Sequence, residues 1–417
     1  MIQDIMPGTA AQLEKEMTTG YIGFDPTADS LHIGSLVPIL LLVHLQKAGH
    51  KPIALVGGAT GMVGDPSGKS EERNLLSEDI LNHNLACVKR QLEKYLDFNP
   101  SQPNAAEMAN NYDWFREISF LQFIRDVGKH ITINYMSSKD SVRKRLEGEN
   151  GMSFTEFTYQ LVQGYDFYWL YVNKNCKLQM GGSDQWGNIT TGTELIRRKA
   201  GGEAFAFTCP LVTKADGGKF GKTEKGNIWL DPAKTSPYQF YQFWLNATDA
   251  DAEKWIKLFT FLEKDEIDVL LEQHRGSENL RLLQKRLAEK VTIFVHGENA
   301  YWNAKAASEF LFSPNATGNF LHTTDENTFL SIFTSVPVHY INKDIIVTSL
   351  NIIDFLVETK ILPSKGEARK LIENGGISIN KWKVSGPDYN VNFNDIVQKK
   401  YIVVQKGKKN YYLVKTT

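Results

Sequence analysis

Two short apolar runs with a helical stretch between them constrain this chain more than any other feature. Residues 21–24 (YIGF) and 52–57 (PIALVG) read as buried strands, and Leu36–Lys47 between them reads as a helix ended by Gly49. Strand, helix, strand is the building unit of a parallel sheet covered on both faces. The pattern continues with a helix over Phe154–Val172, a strand near Leu178–Met180 and a helix from about Gln185 to Lys199. The expectation for residues 1–232 is therefore an α/β domain, a Rossmann-like doubly wound parallel sheet. Ligands in such sheets sit beyond the carboxyl ends of the strands, where the strand order switches.

At 417 residues the chain has length for two or three domains of roughly 100–200 residues each. From Pro237 to Phe312 apolar residues recur at helical spacing, as in Trp255, Leu258, Phe259 and Leu262, which predicts an α-helical domain over 233–315. The polar run SPNATGNFLHTTDENT has no period, and 316–342 reads as a linker. Residues 343–417 have the helix, turn, helix, strand character of a small α+β domain. Ser364 and Glu367 form a capping-box pattern at the helix Lys365–Glu373, Gly375-Gly376 ends it, and ISINKWKV begins a strand.

Net charge is −1 overall, but it is unevenly spread. From Lys343 onward there are 13 Lys and Arg against 7 Asp and Glu, a net of +6; the remaining 34 basic and 41 acidic residues give the body −7. A basic tail-end domain on an acidic body fits a nucleic-acid or membrane contact, or simply a lysine-rich solvated face. Cys87, Cys176 and Cys209 are scattered and odd in number, which argues against a disulfide framework and fits a reducing compartment. No histidine cluster accompanies them, so no structural zinc is expected. The longest apolar stretch, around Leu36–Val43, is too short to span a bilayer, and the N-terminus has no signal-peptide pattern. The expected location is cytoplasmic, with no membrane partner.

Four local patterns carry candidate chemistry. Tyr159, Gln163 and Asp166 lie at i, i+4 and i+7 on one face of an otherwise apolar, aromatic helix. Buried polar groups there need partners, because each unpaired one costs about 1–3 kcal/mol; a small polar ligand could supply them, and so could solvent. The run GGATGMVGDPSGKS at 57–70 ends like a P-loop, but the glycine that motif requires falls at Val63, and Pro66 removes a backbone donor. Its glycines instead fit close backbone approach after a strand, with Asp65 as a pocket carboxylate. His32–Ser35 (HIGS) directly precedes a helix: Gly34 lets a flat ring lie on the backbone, and the helix start favours phosphate. Lys219–Thr223 (KFGKT) puts two lysines on a glycine-flanked loop that can reach a phosphate chain. Taken singly, the last two are no more than a short match and a surface loop.

The combination is more specific. HIGS after the first strand and KFGKT after the last follow the order of class I aminoacyl-tRNA synthetases. YIGFDPTADSLHIG, ALVGGATGMVGDPSGK, FTEFTYQLVQGYDF and GGSDQWGNI resemble the bacterial tyrosyl-tRNA synthetases, in order and from about Gly20 to the C-terminus. The last 75 residues resemble a small RNA-binding module shared with a ribosomal small-subunit protein. The tryptophanyl enzymes, the nearest relatives, carry neither that module nor the YIGFD string. Two positions depart from the pattern. Ser35 stands where the signature usually ends in His, though a hydroxyl still hydrogen-bonds a ribose or phosphate oxygen. The usual N-terminal helical segment reads as shortened.

The resemblance implies roles. Tyr21 and Asp166 meet the substrate's phenolic hydroxyl, so phenylalanine would leave both unpaired. Asp65, Tyr159 and Gln163 hold its ammonium group, and Asp25 and Gln185 complete that pocket. On the ATP side Gly23, Gly34, Ser35, Asp184 and Lys222 form the site, with Gly34 beneath the adenine and Asp184 on the ribose. Thr27 and His32 reach the terminal phosphate in the transition state. Lys219 and Lys222 neutralise the departing pyrophosphate, helped by Lys69 and Arg73. Mg²⁺ is expected with ATP, carried by its phosphates, with no protein ligand assigned. Lys365, Arg369, Lys370, Lys381 and Lys383 are the expected RNA contacts, with Lys381 and Lys383 alternating along one strand. The implied partners are tyrosine, ATP and tRNA(Tyr), and the implied assembly is a homodimer. Two other readings compete: a catalytically impaired RNA-binding paralogue, which Ser35 would support, and a nucleotidyltransferase acting on a small molecule, which has no use for the tyrosine pocket or the basic module.

Overall fold

The first strand runs, YIGF and PIALV, pair in parallel, and a sheet grows outward from them on both sides. The computed structural model describes residues 2–65, 76–148, 151–218, 220–223, 226–312, 319–333, 336–407 and 410–417, with backbone alone at 141, 222, 223, 311, 312, 319 and 331. The chain divides into two units, Met1–Asp231 and Pro232–Thr417.

In the first unit the strands are β1 (Asp4–Ile5), β2 (Thr19–Phe24), β3 (Lys51–Val56), β4 (Glu107–Asn110), β5 (Cys176–Gly182) and β6 (Phe205–Cys209). Their order is β1-β6-β5-β2-β3-β4, parallel throughout except that β1 runs antiparallel to β6. From β2 the chain builds β3 and β4 on one side, and later β5 and β6 on the other. The order therefore switches between β2 and β5, which opens a crevice at their carboxyl ends. The residues ahead of β2 hold the short strand β1 and a helix, Thr9–Lys15.

Three helices position the site. α1 (Leu36–Lys47) has the predicted bounds and is apolar on nearly every side, as a helix packed on a buried sheet must be. α2 (Phe154–Lys174) begins in a capping box, in which Ser153 Oγ accepts from Glu156 N and Glu156 accepts in return from Ser153 N; it ends at Asn175 in the left-handed conformation. Glu156, almost wholly buried, is also held by Arg145 at 2.6 Å. α3 (Trp186–Ala200) packs along α2. A side chain at Gly164 of α2 would meet the backbone of Thr191 and Gly192, so glycine there sets the close approach of the two helices.

The second unit opens with five helices: α4 (Pro237–Leu245), α5 (Asp249–Phe259), α6 (Lys264–His274), α7 (Leu282–His296) and α8 (Glu298–Phe312). Trp244, Trp255, Phe240 and Phe259 form their aromatic centre. The stretch expected as a linker carries structure instead. It contains α9 (Asn319–Thr323), α10 (Glu326–Ile332) and β7 (Val338–Ile341). Its few apolar residues explain this, since Leu321, Phe329 and Phe333 are fully buried and Phe329 stacks against Tyr401.

The basic segment adds α11 (Ile352–Glu358), α12 (Lys365–Glu373), β8 (Ile377–Ile379), β9 (Trp382–Lys383), β10 (Tyr401–Lys406) and β11 (Asn410–Thr416). Their sheet runs β9-β8-β10-β11-β7, with β7 parallel to β11 and the other pairs antiparallel. Ser364 caps α12 by accepting from Glu367 N at 3.3 Å. The expected single strand over ISINKWKV is a hairpin. Asn380 and Lys381 both have positive φ, so the chain turns there and Lys381 does not alternate with Lys383 on one strand.

Candidate active site

The crevice at the carboxyl ends of β2 and β5 is a cavity of about 660 Å³. Of the expected site residues, Tyr21, Gly23, Asp25, Thr27, His32, Gly34, Ser35, Asp65, Tyr159, Gln163, Asp166, Asp184 and Gln185 all line it. Lys69, Arg73 and Lys219 lie outside the described residues, as does the side chain of Lys222; the backbone of Lys222 belongs to a small hairpin, Lys222–Thr223 with Gly226–Asn227.

The two signature motifs meet. Ile33 N donates to Ile228 O at 2.9 Å, and Leu230 N donates to Leu31 O at 2.9 Å. A side chain at Gly221, within KFGKT, would collide with Ile33, within HIGS, and Gly221 has positive φ. His32 Nδ1 accepts from Gly34 N at 3.0 Å, which puts the proton of the neutral ring on Nε2.

At the deep end Asp166 is 1 % exposed, and each carboxylate oxygen already has a donor: Trp114 Nε1 to Oδ1 and Asn111 Nδ2 to Oδ2, both at 3.0 Å. Burial nonetheless pushes its pKa up to about 8; the two hydrogen bonds oppose this and the charge of Asp25 adds to it. Tyr21 is 1 % exposed, and its hydroxyl has no hydrogen-bond partner among the described residues. Burial first, then Asp166, raise its pKa well above the ordinary phenol range, so it remains a donor.

Nearer the mouth, Tyr159 donates to Asp25 Oδ2 at 2.9 Å and Thr60 Oγ1 donates to Asp25 Oδ1 at 2.7 Å. A side chain at Gly57 would collide with both Asp25 and Thr60, which is the close approach that the glycine run after β3 permits. Asp65 accepts from Gln185 Nε2 at 2.8 Å and from Asn188 Nδ2 at 3.5 Å. Burial, then Asp65, raise the pKa of Asp184. Asp25 and Asp65 on one cavity, with Tyr159 and Gln163 beside them, suit a cation. The Tyr159, Gln163, Asp166 stripe thus faces the pocket and not solvent.

Sequence reasoning missed Thr60, Asn111, Trp114, Gln179 and Asn188. Asn188 stands in GGSDQWGNI, three residues after Gln185, and Gln179 pairs in register with Tyr21. The Gln179 side chain is 2 % exposed, lines the cavity, and its Oε1 has no hydrogen-bond partner among the described residues. Asn111 and Trp114 follow β4, a strand whose sequence EMAN has no apolar run to betray it.

Comparison with known proteins gives concordant results. Residues 13–313 match the family model described as tRNA synthetases class I (W and Y), and residues 329–414 match that of the tyrosine--tRNA ligase SYY-like C-terminal domain. A tyrosine--tRNA ligase of Bacteroides fragilis is 60% identical over 417 residues, covering 99% of this chain and 97% of that protein. One from Flavobacterium johnsoniae is 58% identical over 419 residues, covering 100% and 97%. Among solved structures, a C-terminally truncated mitochondrial tyrosyl-tRNA synthetase of Aspergillus nidulans aligns with TM-score 0.67 and 29% identity over 75% of this chain and 91% of that one. A tyrosyl-tRNA synthetase from Archaeoglobus fulgidus, complexed with L-tyrosine, shares the fold at TM-score 0.54 and 16% identity, over 73% and 95%.

Proposed function

The chain belongs to the class I tRNA synthetases of the tryptophan and tyrosine family and acts as an ATP-dependent tyrosine–tRNA ligase, and from that premise we propose how its residues divide the work. The impaired paralogue finds no support, since relatives near 60% identity over the whole length are ligases. Tyrosine enters with its phenol between Tyr21 and Asp166 and its ammonium among Asp65, Tyr159 and Gln163, with Asp25 and Gln185 holding that shell in place. ATP lies with its adenine over Gly34, near Gly23 and Ser35, and its ribose at Asp184. The tyrosine carboxylate attacks the α-phosphorus, the bond to the β-phosphate breaks, and pyrophosphate leaves. The 3′-terminal adenosine hydroxyl of tRNA(Tyr) then attacks the tyrosyl carbonyl, and AMP leaves.

No covalent enzyme intermediate is needed, so the protein works by positioning and charge stabilisation. Thr27 and His32 reach the terminal phosphate in the transition state. Lys219 and Lys222, with Lys69 and Arg73, neutralise the pyrophosphate. Mg²⁺ arrives as part of the substrate, bound to the ATP phosphates.

We assign residues 1–232 to catalysis, 233–315 to a helical anticodon-binding-type domain, and 343–417 to gripping the tRNA, with 316–342 as the connection between them. The assembly we propose is a homodimer; Phe120, Leu121, Ile124, Ile133 and Phe154 are exposed apolar side chains of the kind that a second copy could cover. The cytoplasm, where tRNA is charged for translation, is the proposed location; among the described residues no helix is long and apolar enough to cross a membrane.

The observation that carries this reading is the buried, unpartnered Tyr21 hydroxyl lining the same cavity as Asp166. It predicts a pH effect. In the empty pocket Asp166 holds a proton up to about pH 8. A phenol donating to it favours the carboxylate and lowers that pKa in the complex. Tyrosine binding below pH 8 should therefore release a proton, and tyrosine affinity should rise with pH until about 8, then level. Calorimetry in buffers of different ionisation enthalpy measures the release. Uptake of a proton, or equal release with phenylalanine, would contradict the placement of the phenol at Asp166.

A further inference from the structure

The hairpin after α12 presents an indole that the fold leaves uncovered. β8 and β9 pair antiparallel, Ser378 opposite Lys383 and Ile379 opposite Trp382. The two-residue turn between them, Asn380 and Lys381, has φ of 48° and 71°, as a type I′ turn requires. That turn is fixed on every side. Asn380, 3 % exposed, donates from Nδ2 to Asp395 O at 2.7 Å and accepts from Val403 N at 2.9 Å. The Lys381 ammonium lies 5.1 Å from the ring centroids of both Phe310 and Tyr411, and burial lowers its pKa. Val384, just beyond β9, is in the core. Trp382 stands amid these anchored neighbours and is 58 % exposed.

Cationic residues lie beside it in the chain and on the preceding helix. Lys383 reaches back over Gly375, at the end of α12, where a side chain on residue 375 would collide with its ammonium. Arg369 and Lys370 are exposed on α12. Lys365 and Lys406, by contrast, are ion-paired with Asp354 and Glu367. Along the chain between Val347 and Phe393, Trp382 is the one large apolar side chain that is exposed among the described residues. A protein partner takes a contiguous apolar patch. An exposed ring in a segment that also exposes Arg369, Lys370 and Lys383 fits a nucleic acid with one base out of its helix, the base on the ring and the phosphates on the cations.

We propose that Trp382 is a stacking platform for an unpaired base of the tRNA. The proposal rests on the reading of residues 343–417 as the tRNA grip. The test is a titration of the full-length protein with a tRNA(Tyr) transcript at several salt concentrations, using Trp382→Ala, Trp382→Phe and Lys383→Ala, with melting curves as the check on folding. Trp382→Ala should weaken binding about ten-fold, within the range known for base–aromatic stacking. The slope of log Kd on log salt should stay as in the wild type, and Phe should restore most of the affinity. Lys383→Ala should instead flatten the slope by about 0.9. If Trp382→Ala melts early, Trp382→Leu, which keeps bulk without a ring, is read in its place. Full affinity in the ringless variant with weakened Lys383→Ala overturns the stacking and leaves the grip standing; full affinity in both overturns both. A ringless variant that binds tRNA normally but changes its sedimenting mass assigns the ring to a protein contact and likewise overturns the proposal.

Discussion

Asp166→Asn is expected to lower kcat/KM for tyrosine in ATP–pyrophosphate exchange by roughly a hundred-fold, or about 3 kcal/mol. The substitution is nearly isosteric, yet the site cannot absorb it. Trp114 Nε1 and Asn111 Nδ2 each donate to one carboxylate oxygen. An amide has only one oxygen, so its NH₂ must face one of these donors. A buried donor without an acceptor costs about 1–3 kcal/mol, and the substrate phenol loses part of its acceptor as well. ATP binding, at the far end of the cavity, should change little. A loss of less than five-fold would mean that the carboxylate is a structural hub for Asn111 and Trp114 and not a substrate contact.

Reversing Arg369, Lys370 and Lys383 together to Glu is expected to abolish measurable tRNA charging at physiological salt, while tyrosine-dependent pyrophosphate exchange proceeds as before. Three reversals take the segment from Lys343 onward from +6 to zero, since each changes the charge by two. The choice of three follows from the structure. Lys365 is ion-paired with Asp354 at 2.7 Å and the Lys381 ammonium lies near two aromatic rings, so reversing either would also disturb contacts within the fold. Three lost phosphate contacts would cut the salt slope by about 2.7. Charge reversal is a better probe than cutting the chain after Asn342. Such a cut would strip β11 from β7 and uncover Phe329, because Gln398 donates to Leu321 O and Thr324 O and Tyr401 stacks on Phe329. Charging that survives the reversal would place the tRNA grip elsewhere.

The catalytic sheet was legible in the sequence wherever burial on both faces made a strand or helix continuously apolar, as in PIALV and Leu36–Lys47. The polar lining of the cavity was legible because its residues interrupt such segments at fixed spacing, Tyr159, Gln163 and Asp166 above all. What stayed hidden lacked that contrast. β4 reads EMAN, a half-buried edge strand, and the two groups that orient Asp166 lie just beyond it. The connection at 316–342 is polar on average, yet its described residues include two helices and a strand, with Leu321, Phe329 and Phe333 buried. At Asn380-Lys381 two non-glycine residues take positive φ, which composition does not reveal; tertiary anchoring of both side chains holds the turn.

Tyr21 and Asp166 are proposed to read the substrate's hydroxyl. The most direct measurement is the ratio of kcat/KM for tyrosine to that for phenylalanine, in pyrophosphate exchange by the full-length protein and by Tyr21→Phe. The wild type should favour tyrosine strongly. Tyr21→Phe removes one donor to the hydroxyl and should shrink the ratio by a factor set by about 0.5–1.5 kcal/mol, chiefly through the tyrosine value. A ratio unaltered by Tyr21→Phe would contradict the assignment of the pocket.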